Sequence, residues 1–469
     1  MNSDQINQLF QVQRNNRYQV RRSSAAHRIE KLKKMKGLII KKKSKIEAAL
    51  KADFGKSSVE TELTEIMPVI SMINYTCKHL KRWMKPHKVS GGPLFFGTKC
   101  MVSYESKGNV LVISPWNYPF QLAMYPLLTA YSAGNTVILK PSEFTPETNK
   151  ILIELLSEVF TTDEVAVVEG EVEASQALLD LAFDHIFFTG STPVGKIVME
   201  KASKHLAGVS LELGGKSPAI IAKDFDLNVA AQRIVWGKFV NGGQTCVAPD
   251  YVLVEKSREE ELVKLIVENI KLFYNEQFEM NEDYCQIITP RHAERLQELI
   301  ADSKSRGAKI VFGGHLFGNN KHEPTIIQNL DFDHKVMQEE IFGPLLPIIA
   351  VDSNKDMVKI INDMDNPLAM YLFTNSQDVL EYFQANTTSG GFSVNETLLH
   401  VGHSGLIFGG AGKSGIGRYH GFEGFAELSN QRSVLIRKFD TKMSYFYPPY
   451  TDKKKKMIDF LIEKFHYLF

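Results

Sequence analysis

The sequence predicts an α/β protein built around two mainly parallel sheets. Apolar, strand-like runs alternate with helical patterns in two successive series, the first from residue 109 and the second from about residue 217. Strands that alternate with helices form βαβ units, which build parallel sheets covered on both faces. A chain of 469 residues also exceeds what one compact core accommodates, so we expect two or three domains.

The N-terminal block, residues 2–84, shows helical periodicity with few helix breakers. Pro86 and the run Gly91-Gly92-Pro93 end this block. Residues 99–105 then alternate in the manner of an exposed strand. We therefore predict a helical N-terminus followed by one exposed strand.

The first βα series contains four strand-like runs separated by helical patterns. The strands are predicted at residues 109–114, 135–140, 164–168 and 185–188, and the helices around residues 124–133, 148–160 and 173–181. In the second series the strands are predicted at residues 218–221, 251–255, 309–312, 346–351, 369–374 and 391–394, and the helices around residues 228–240, 259–273, 291–306 and 354–363. A further strand-like segment, residues 433–447, follows the second series.

Composition excludes several classes of protein. A formal net charge of +1 gives no strong electrostatic attraction to nucleic acid. The four cysteines form no Cys-x-x-Cys pair and no Cys/His cluster, so we expect no metal site and a reducing, cytoplasmic location. Residues 1–20 are polar, unlike a signal peptide, and the sequence has no apolar stretch long enough to span a bilayer.

The C-terminal tail, residues 451–469, combines four consecutive lysines, Lys453 to Lys456, with the apolar run 457–462. Such a helix could contact an anionic membrane surface. The alternative is a solvated helix that docks on its own protein or on a partner subunit, and this is the interpretation we favour.

A candidate nucleophile lies in the run Asn241-Gly242-Gly243-Gln244-Thr245-Cys246. A catalytic cysteine needs access, nearby backbone N–H groups and surroundings that favour the thiolate. The two glycines are expected to let the backbone approach a ligand closely. The alternative is an inert thiol packed in a glycine turn, and the hexapeptide alone does not decide between them.

Two glutamates are candidates for acid–base chemistry or ligand binding. Glu212 lies between two leucines and beside two glycines, so burial would raise its pKa and suit it to act as a general base. Glu340 precedes Phe342 and a Gly-Pro turn, and a carboxylate beside an aromatic ring could hold a ribose and a flat ring. A solvated carboxylate and an ordinary loop are the respective alternatives.

A phosphate-binding turn is the third candidate feature. The predicted strand 185–188 leads into the turn 189–196, where Ser191 or Thr192 could cap the next helix and Pro193 suits its first turn. A strand, a glycine turn and a helix N-terminus can hold a phosphate group, although the Gly-x-Gly-x-x-Gly spacing is absent. Lys140 and Glu143, after another predicted strand, could hold ribose hydroxyls and a phosphate, or form a surface ion pair.

Taken together and in this order, these motifs resemble the aldehyde dehydrogenase superfamily over essentially the whole chain. The resemblance rests on residues 115–119, 140–143, 188–195, 211–216, 241–246, 340–343, 408–410 and 414–415. Features shared with its class 3 branch, which uses fatty and aromatic aldehydes, are the short N-terminus, the Ser191-Thr192-Pro193 turn, residues 418–421 and the Tyr-Pro-Pro-Tyr run at residues 447–450.

The resemblance implies a role for each motif. It implies that Cys246 is the nucleophile, that Asn117 forms the oxyanion hole together with the Cys246 N–H, and that Glu212 is the general base, with Glu340 as an alternative base. For the cofactor it implies that Lys140 and Glu143 contact the adenosine ribose and that Glu340 and Phe342 contact the nicotinamide riboside. The implied contacts near the pyrophosphate are Gly190, Ser191 and Gly195, and Leu213 is implied to contact the cofactor as well.

The resemblance also implies an aldehyde dehydrogenase-like α/β fold with three parts. A Rossmann-like NAD(P)-binding domain would comprise residues 1–84 and 104–211, and an α/β catalytic domain residues 212–424. A small β oligomerisation element would comprise residues 85–103 and 425–450. We expect a homodimer, and we expect NAD as cofactor because Glu143 would repel a 2′-phosphate, although class 3 enzymes often accept NADP as well.

The expected reaction is oxidation of medium- or long-chain aliphatic or aromatic aldehydes to carboxylic acids. Two alternatives keep the fold. A CoA-acylating enzyme would have no need of a hydrolytic base such as Glu212, and a catalytically silent scaffold would have lost at least one chemical group. A weak contact between the tail and a membrane surface would be compatible with either reaction.

Overall fold

The computed structural model describes residues 1–90, 95, 97–437 and 446–465, and it confirms the predicted α/β class. Within these residues the strands form three sheets of six, seven and three strands.

The helices of the described chain are α1 (Ser3–Arg22), α2 (Ala25–Lys41), α3 (Lys43–Phe54), α4 (Ser58–Thr61), α5 (Met67–Trp83), α6 (Gln121–Ser132), α7 (Pro146–Ser157), α8 (Val172–Leu179), α9 (Thr192–Ser203), α10 (Leu227–Phe239), α11 (Glu259–Tyr274), α12 (Pro290–Ser305), α13 (Lys335–Gln338), α14 (Asn354–Asp363), α15 (Gln377–Asn386), α16 (Leu399–Gly402), α17 (Gly421–Glu427) and α18 (Asp452–Phe465). A π-helical turn, Glu62–Ile66, joins α4 to α5.

The strands are β1 (His87–Val89), β2 (Thr98–Ser106), β3 (Asn109–Ile113), β4 (Thr136–Lys140), β5 (Val165–Val167), β6 (His185–Thr189), β7 (Gly208–Glu212), β8 (Pro218–Ile221), β9 (Tyr251–Glu255), β10 (Lys309–Phe312), β11 (Thr325–Gln328), β12 (Leu345–Val351), β13 (Ala369–Phe373), β14 (Gly391–Val394), β15 (Gly415–Ile416) and β16 (Ser429–Arg437). The predicted strands of both series lie within a residue or two of these bounds. The elements that were not predicted include strands β1, β7, β11 and β15 and helices α13, α15, α16 and α17.

The six-stranded sheet has the order β15-β7-β6-β3-β4-β5 and is parallel except for β15. All five residues of β4 are buried, as expected for a continuous apolar run covered on both faces. The N-terminal helices pack against this sheet, and α5 contributes Val69, Ile73 and Leu80 to the same core. This covering explains the helical periodicity of the first 84 residues.

The seven-stranded sheet has the order β10-β11-β12-β9-β8-β13-β14 and is parallel except for β10. Its strands come from the second predicted series. Helices α12 and α14 pack on one side of it, through residues such as Leu296, Leu299 and Met357. The two large sheets therefore belong to successive halves of the chain.

The three-stranded antiparallel sheet has the order β1-β2-β16. Strands β2 and β16 pair over nine residues, from Ser106 opposite Ser429 to Thr98 opposite Arg437. The predicted strand 433–447 starts earlier than expected, and its residues 438–445 lie outside the described chain, as do residues 91–94, 96 and 466–469. The three-part division into domains stays a prediction.

In the described part of the chain, no helix is both long enough and apolar enough to cross a bilayer. Within the same residues, no group of three or more His, Cys, Asp and Glu side chains converges on a possible metal position.

Candidate active site

A cavity of about 1390 Å³ lies where the carboxyl ends of β3, β6 and β7 face the loops after α10 and after α13. Ligands of open parallel sheets bind at this end of the strands. Eight predicted site residues line it: Asn117, Gly190, Ser191, Glu212, Leu213, Cys246, Glu340 and Phe342.

Three predicted cofactor contacts do not line this cavity. Lys140, buried at the end of β4, pairs with Glu143 at 2.7 Å between Nζ and Oε2. A Cβ on Gly195 would stand 2.7 Å from a methyl group of Leu213. The absence of a side chain at Gly195 thus lets α9 pack closely on Leu213, which itself lines the cavity.

The loop that carries Cys246 has three consecutive residues in the left-handed region. The φ angles are 56° for Asn241, 60° for Gly242 and 75° for Gly243. Glycine adopts this conformation without strain, and asparagine tolerates it better than most residues. The sequence Asn-Gly-Gly therefore suits the sharp turn that follows α10 and leads to Cys246.

The two glycines serve contacts within the protein. A Cβ on Gly243 would stand 2.4 Å from the Gly343 carbonyl oxygen, and one on Gly242 would stand 3.4 Å from the Cys285 sulfur. The expected close approach of this backbone to a ligand stays a prediction. Gly243 lets the Cys246 loop meet the loop that carries Glu340 and Phe342.

The environment of Cys246 favours the thiol. Burial raises the pKa of the Cys246 thiol, and Glu340 and Glu212 raise it further. The backbone N–H groups of Cys246 and Val247 lower the pKa by a smaller amount. The half-buried sulfur therefore needs a base to take its proton.

Asn117 is held by the Cys246 loop. Its Nδ2 donates to the Gln244 carbonyl at 3.0 Å, and Asn241 Nδ2 donates to the carbonyls of Asn117 at 2.8 Å and Gln244 at 3.1 Å. An amide nitrogen carries two hydrogens. These bonds therefore orient the Asn117 amide while one hydrogen remains for a ligand.

Glu212 is the last residue of β7 and is 3% exposed. Neither carboxyl oxygen has a hydrogen-bond partner among the residues that the structure describes. Burial raises the pKa of Glu212 well above its usual range, Arg418 opposes this, and Glu427 adds to it. A carboxyl group with these properties is suited to accept a proton.

Glu340 is the second carboxyl group of the cavity. Burial, followed by the charge of Asp250, raises the pKa of Glu340 to about 8, while the Gly215 N–H, Lys216 and Arg295 lower it. Glu340 also raises the pKa of Cys246 more than Glu212 does. Both candidate bases therefore act on the same sulfur, and Glu340 has the larger electrostatic effect on it.

Three residues that the sequence patterns did not indicate hold the Glu340 loop. Asp250 Oδ1 accepts the Ile341 N–H at 3.1 Å, and the other carboxylate oxygen pairs with Lys216. Arg295 donates to the carbonyls of Ile341 at 2.8 Å and Glu340 at 2.5 Å. Arg295 lies in an ordinary charged helix, so the sequence offered no signal for it.

Aromatic rings form one wall of the cavity. Phe342 packs edge-on against Trp116, with ring centroids 5.3 Å apart, and Trp116 packs against His292 at 5.2 Å. Thr289 and Pro290 start α12, with the Thr289 side chain accepting the His292 N–H, and this cap places His292 at the wall. The wall is apolar enough to receive a flat or hydrocarbon group.

The glycine turn before α9 opens into the cavity. Ser191 is the N-cap residue and Pro193 lies in the first turn, as predicted, but no side chain caps the helix. Thr192 Oγ1 donates instead to the Lys413 carbonyl at 3.2 Å. The helix N–H groups near Ser191 are therefore left for an anionic ligand.

Comparison with known proteins agrees with this geometry. The sequence model of the aldehyde dehydrogenase family matches residues 1–434. The mouse protein "Aldehyde dehydrogenase family 3 member A2" is 40% identical over 440 residues, which cover 93% of this chain and 90% of the mouse protein. The 4,4'-diaponeurosporen-aldehyde dehydrogenase of Staphylococcus aureus is 40% identical over 429 residues, which cover 91% and 93% of the two chains.

A solved structure described as the substrate-bound state of Staphylococcus aureus AldH superimposes with a TM-score of 0.93 at 38% sequence identity, covering 97% of this chain and 99% of that one. The match thus extends through both large sheets and the cavity between them. The chain belongs to the aldehyde dehydrogenase family and is similar to its family 3 members.

Proposed function

We propose that this chain oxidises aldehydes to carboxylic acids with NAD, through a thiohemiacetal and then a thioester on Cys246. The observation that carries the proposal is the meeting of one thiol, two carboxyl groups and the Asn117 amide in a single cavity. Membership of the aldehyde dehydrogenase family supports it.

The first step is attack of the Cys246 sulfur on the aldehyde carbon. Because burial raises the pKa of the thiol, its proton passes to a carboxylate as the bond forms, and Glu340 and Glu212, in their ionised forms, are the available acceptors. The Asn117 amide and the Cys246 N–H hold the oxyanion. Donors of this kind are worth about 3–4 kcal/mol each when removed.

The nicotinamide ring, when bound, accepts the hydride that leaves the former aldehyde carbon. The thioester that remains on Cys246 is hydrolysed by water. Glu212 takes a proton from this water, which releases the carboxylic acid and restores the thiol. Covalent attachment of the aldehyde holds the reacting carbon in place for both steps.

Residues on three sides suit a dinucleotide. The N-terminus of α9 offers N–H groups to the pyrophosphate, and the buried Glu340 Oε1 has no hydrogen-bond partner within the described chain. We propose that Glu340 and Phe342 hold the nicotinamide riboside. Lys140 and Glu143 lie just before Phe144, a cavity residue, and we assign them to the adenosine ribose, where Glu143 favours NAD over NADP.

The aromatic wall of Trp116 and Phe342 favours medium- or long-chain aliphatic aldehydes, or aromatic ones, over small polar aldehydes. The test is a steady-state panel of such aldehydes with NAD and with NADP, read by absorbance of the reduced cofactor. Cys246→Ala should abolish turnover while NAD still binds, as measured by calorimetry. Turnover by the alanine variant would refute the role of Cys246.

We also propose a cytoplasmic homodimer. The antiparallel sheet of β1, β2 and β16 carries exposed apolar side chains, among them Leu435 and Ile436 on β16, and such an edge favours pairing with a second copy. Sedimentation equilibrium would give the mass of the assembly directly.

The described part of the C-terminal tail is helix α18, with Phe460 and Ile462 exposed. We propose at most a weak contact between this helix and anionic lipid. Liposome sedimentation of the full chain and of a chain lacking residues 451–469 separates a lipid contact from a docked helix.

A further inference from the structure

A π-helical turn lies close to the Cys246 loop. In the turn Glu62–Ile66 the Met67 N–H donates to the Glu62 carbonyl, five residues back. Glu65 lies in this turn and is fully buried, and Glu60 lies just before it, in α4, and is half-buried. Single π turns are rare and occur frequently at functional sites.

Glu65 forms a fully buried ion pair with Lys56, at 2.7 Å, and both side chains are 0% exposed. The other Glu65 oxygen accepts the Gln121 N–H at the start of α6, at 2.8 Å. Buried charges need such complete pairing. The pair therefore fixes the π turn against the segment that carries Asn117.

Lys56 is also connected to the Cys246 loop through contacts with Tyr118. Lys56 Nζ lies 4.3 Å from the centroid of the Tyr118 ring, within the range of a cation–π contact. The Tyr118 hydroxyl is hydrogen-bonded to Thr245 Oγ1 at 2.6 Å. Thr245 immediately precedes Cys246.

Glu60 contacts the beginning of the same loop. Its Oε1 accepts the N–H of Asn241 at 3.0 Å, the non-glycine residue with a φ of 56°. The Asn241 side chain in turn holds the carbonyls of Asn117 and Gln244. One carboxyl oxygen thus fixes a strained residue on which both proposed oxyanion donors depend.

We propose that Glu60 is a positioning residue for aldehyde oxidation: its carboxyl oxygen holds Asn241 in the left-handed conformation, and so places the Asn117 amide and the Cys246 N–H around the oxyanion. This inference rests on the proposed function of Cys246. Glu60 itself does not line the cavity.

The role requires an acceptor oxygen, and a negative charge is not needed for it. Burial raises the pKa of Glu60 to about 7, against the opposing effects of Lys56 and the Asn241 N–H, while Glu65 and Asp283 add to the rise. A neutral glutamine keeps the acceptor oxygen, whereas alanine removes it. Aspartate keeps a carboxyl group but withdraws the oxygen by one methylene group.

The experiment compares Glu60→Gln, Glu60→Asp and Glu60→Ala with the wild type, with Glu62→Gln as the matched control. Glu62 lies on the same π turn but pairs with Lys43 at the surface. Two measurements are made on each full-length protein: kcat and KM for aldehyde oxidation with NAD, and amide hydrogen exchange of the peptide covering residues 240–247.

We expect Glu60→Ala and Glu60→Asp to lower kcat at least tenfold with little change in KM for NAD, and to speed exchange at Asn241 at least tenfold. Glu60→Gln and Glu62→Gln should stay within threefold of the wild type in both measurements. Glu60→Asp keeps a carboxyl group at this position, so it reports on the hydrogen bond even where Glu60→Ala fails to fold.

Three results would overturn the inference: wild-type exchange in Glu60→Asp, fast exchange with unchanged kcat, or a Glu60→Gln enzyme as slow as Glu60→Asp. If the wild-type protein reduced NAD with none of the aldehydes tested, that result would refute the proposed function instead. Hydrogen exchange would still test the contact between Glu60 and Asn241 in that case.

Discussion

The carboxyl group of Glu340 lies directly against the backbone of Gly214: a Cβ built on Gly214 would stand 1.8 Å from Glu340 Oε2. Gly214 does not have a positive φ, so a larger residue there would be excluded by contact and not by backbone strain. The Glu340 carboxyl can occupy its buried position only because residue 214 has no side chain.

Gly214→Ala should therefore displace Glu340. The alanine methyl would push aside the flexible end of the Glu340 side chain, so the fold should tolerate it while kcat/KM for NAD falls about tenfold or more. Steady-state kinetics with varied NAD measures the effect. Gly37→Ala is the matched control, because a Cβ on Gly37 in α2 meets nothing within 4 Å and alanine is the better helix former. Equal kinetics in the two variants would contradict the prediction.

The roles of Glu212 and Glu340 can be distinguished by which step of the reaction slows when each is replaced by glutamine. We expect Glu212→Gln to slow deacylation, because glutamine cannot take a proton from the hydrolytic water. A burst of NADH, followed by slow turnover and a thioester detectable by mass spectrometry on Cys246, would result. Rapid mixing with excess aldehyde measures the burst.

Glu340→Gln is the comparison for this experiment. If Glu340 accepts the thiol proton, the burst itself should become slow and no thioester should accumulate. A full burst followed by slow turnover in Glu340→Gln, together with normal turnover in Glu212→Gln, would show instead that Glu340 activates the hydrolytic water.

Stability should depend on pH through Glu340. The pKa of Glu340 is about 8 in the folded protein and about 4.3 in an unfolded chain, so the folded state binds the proton more tightly. The stability from this group is complete below about pH 4 and is lost as pH rises through about 8. Glu340→Gln should thus raise Tm by about 5 °C at pH 9 and by about 1 °C at pH 5.

Scanning calorimetry of Glu340→Gln at the two pH values checks this sign. Glu339→Gln is the control, since Glu339 is exposed and pairs with Arg295 at 3.0 Å. A Tm gain that is larger at pH 5, or equal in both variants, would show that Glu340 carries no buried proton.

Most of the fold could be predicted because its strands are buried on both faces. Strands β4 and β9 are continuous apolar runs that end at a polar or charged residue. Such a run predicts a buried strand from the local sequence alone. Strand β7 begins with Gly208, and its last residue is the buried acid Glu212. Its burial depends on neighbouring strands, which a local pattern does not reveal.

The chemical environment of the site was less predictable from the sequence than the set of residues that form it. The motifs placed Cys246, Glu212 and Glu340 in one cavity. They did not reveal the raised pKa of the thiol, because the groups that raise it come from segments distant in sequence. The same holds for Asp250 and Arg295, which hold the Glu340 loop through contacts with its backbone, and such contacts require no recognisable motif.

The final prediction concerns Asn117. Its Nδ2 bond to the Gln244 carbonyl, at 3.0 Å, orients the amide beside the Cys246 loop, so Asn117→Ala should remove an oxyanion donor. Loss of one such donor lowers kcat by about 10²–10³, and because the oxyanion forms in the first chemical step, the NADH burst should fall by the same factor. Asn135→Ala is the control: Asn135 is equally buried and donates to the carbonyls of Ala130 and Leu428, yet it does not line the cavity. We expect that variant to lose thermal stability while its kcat stays within a few-fold of the wild type. A similar loss of kcat in both variants would mean that Asn117 acts only through packing.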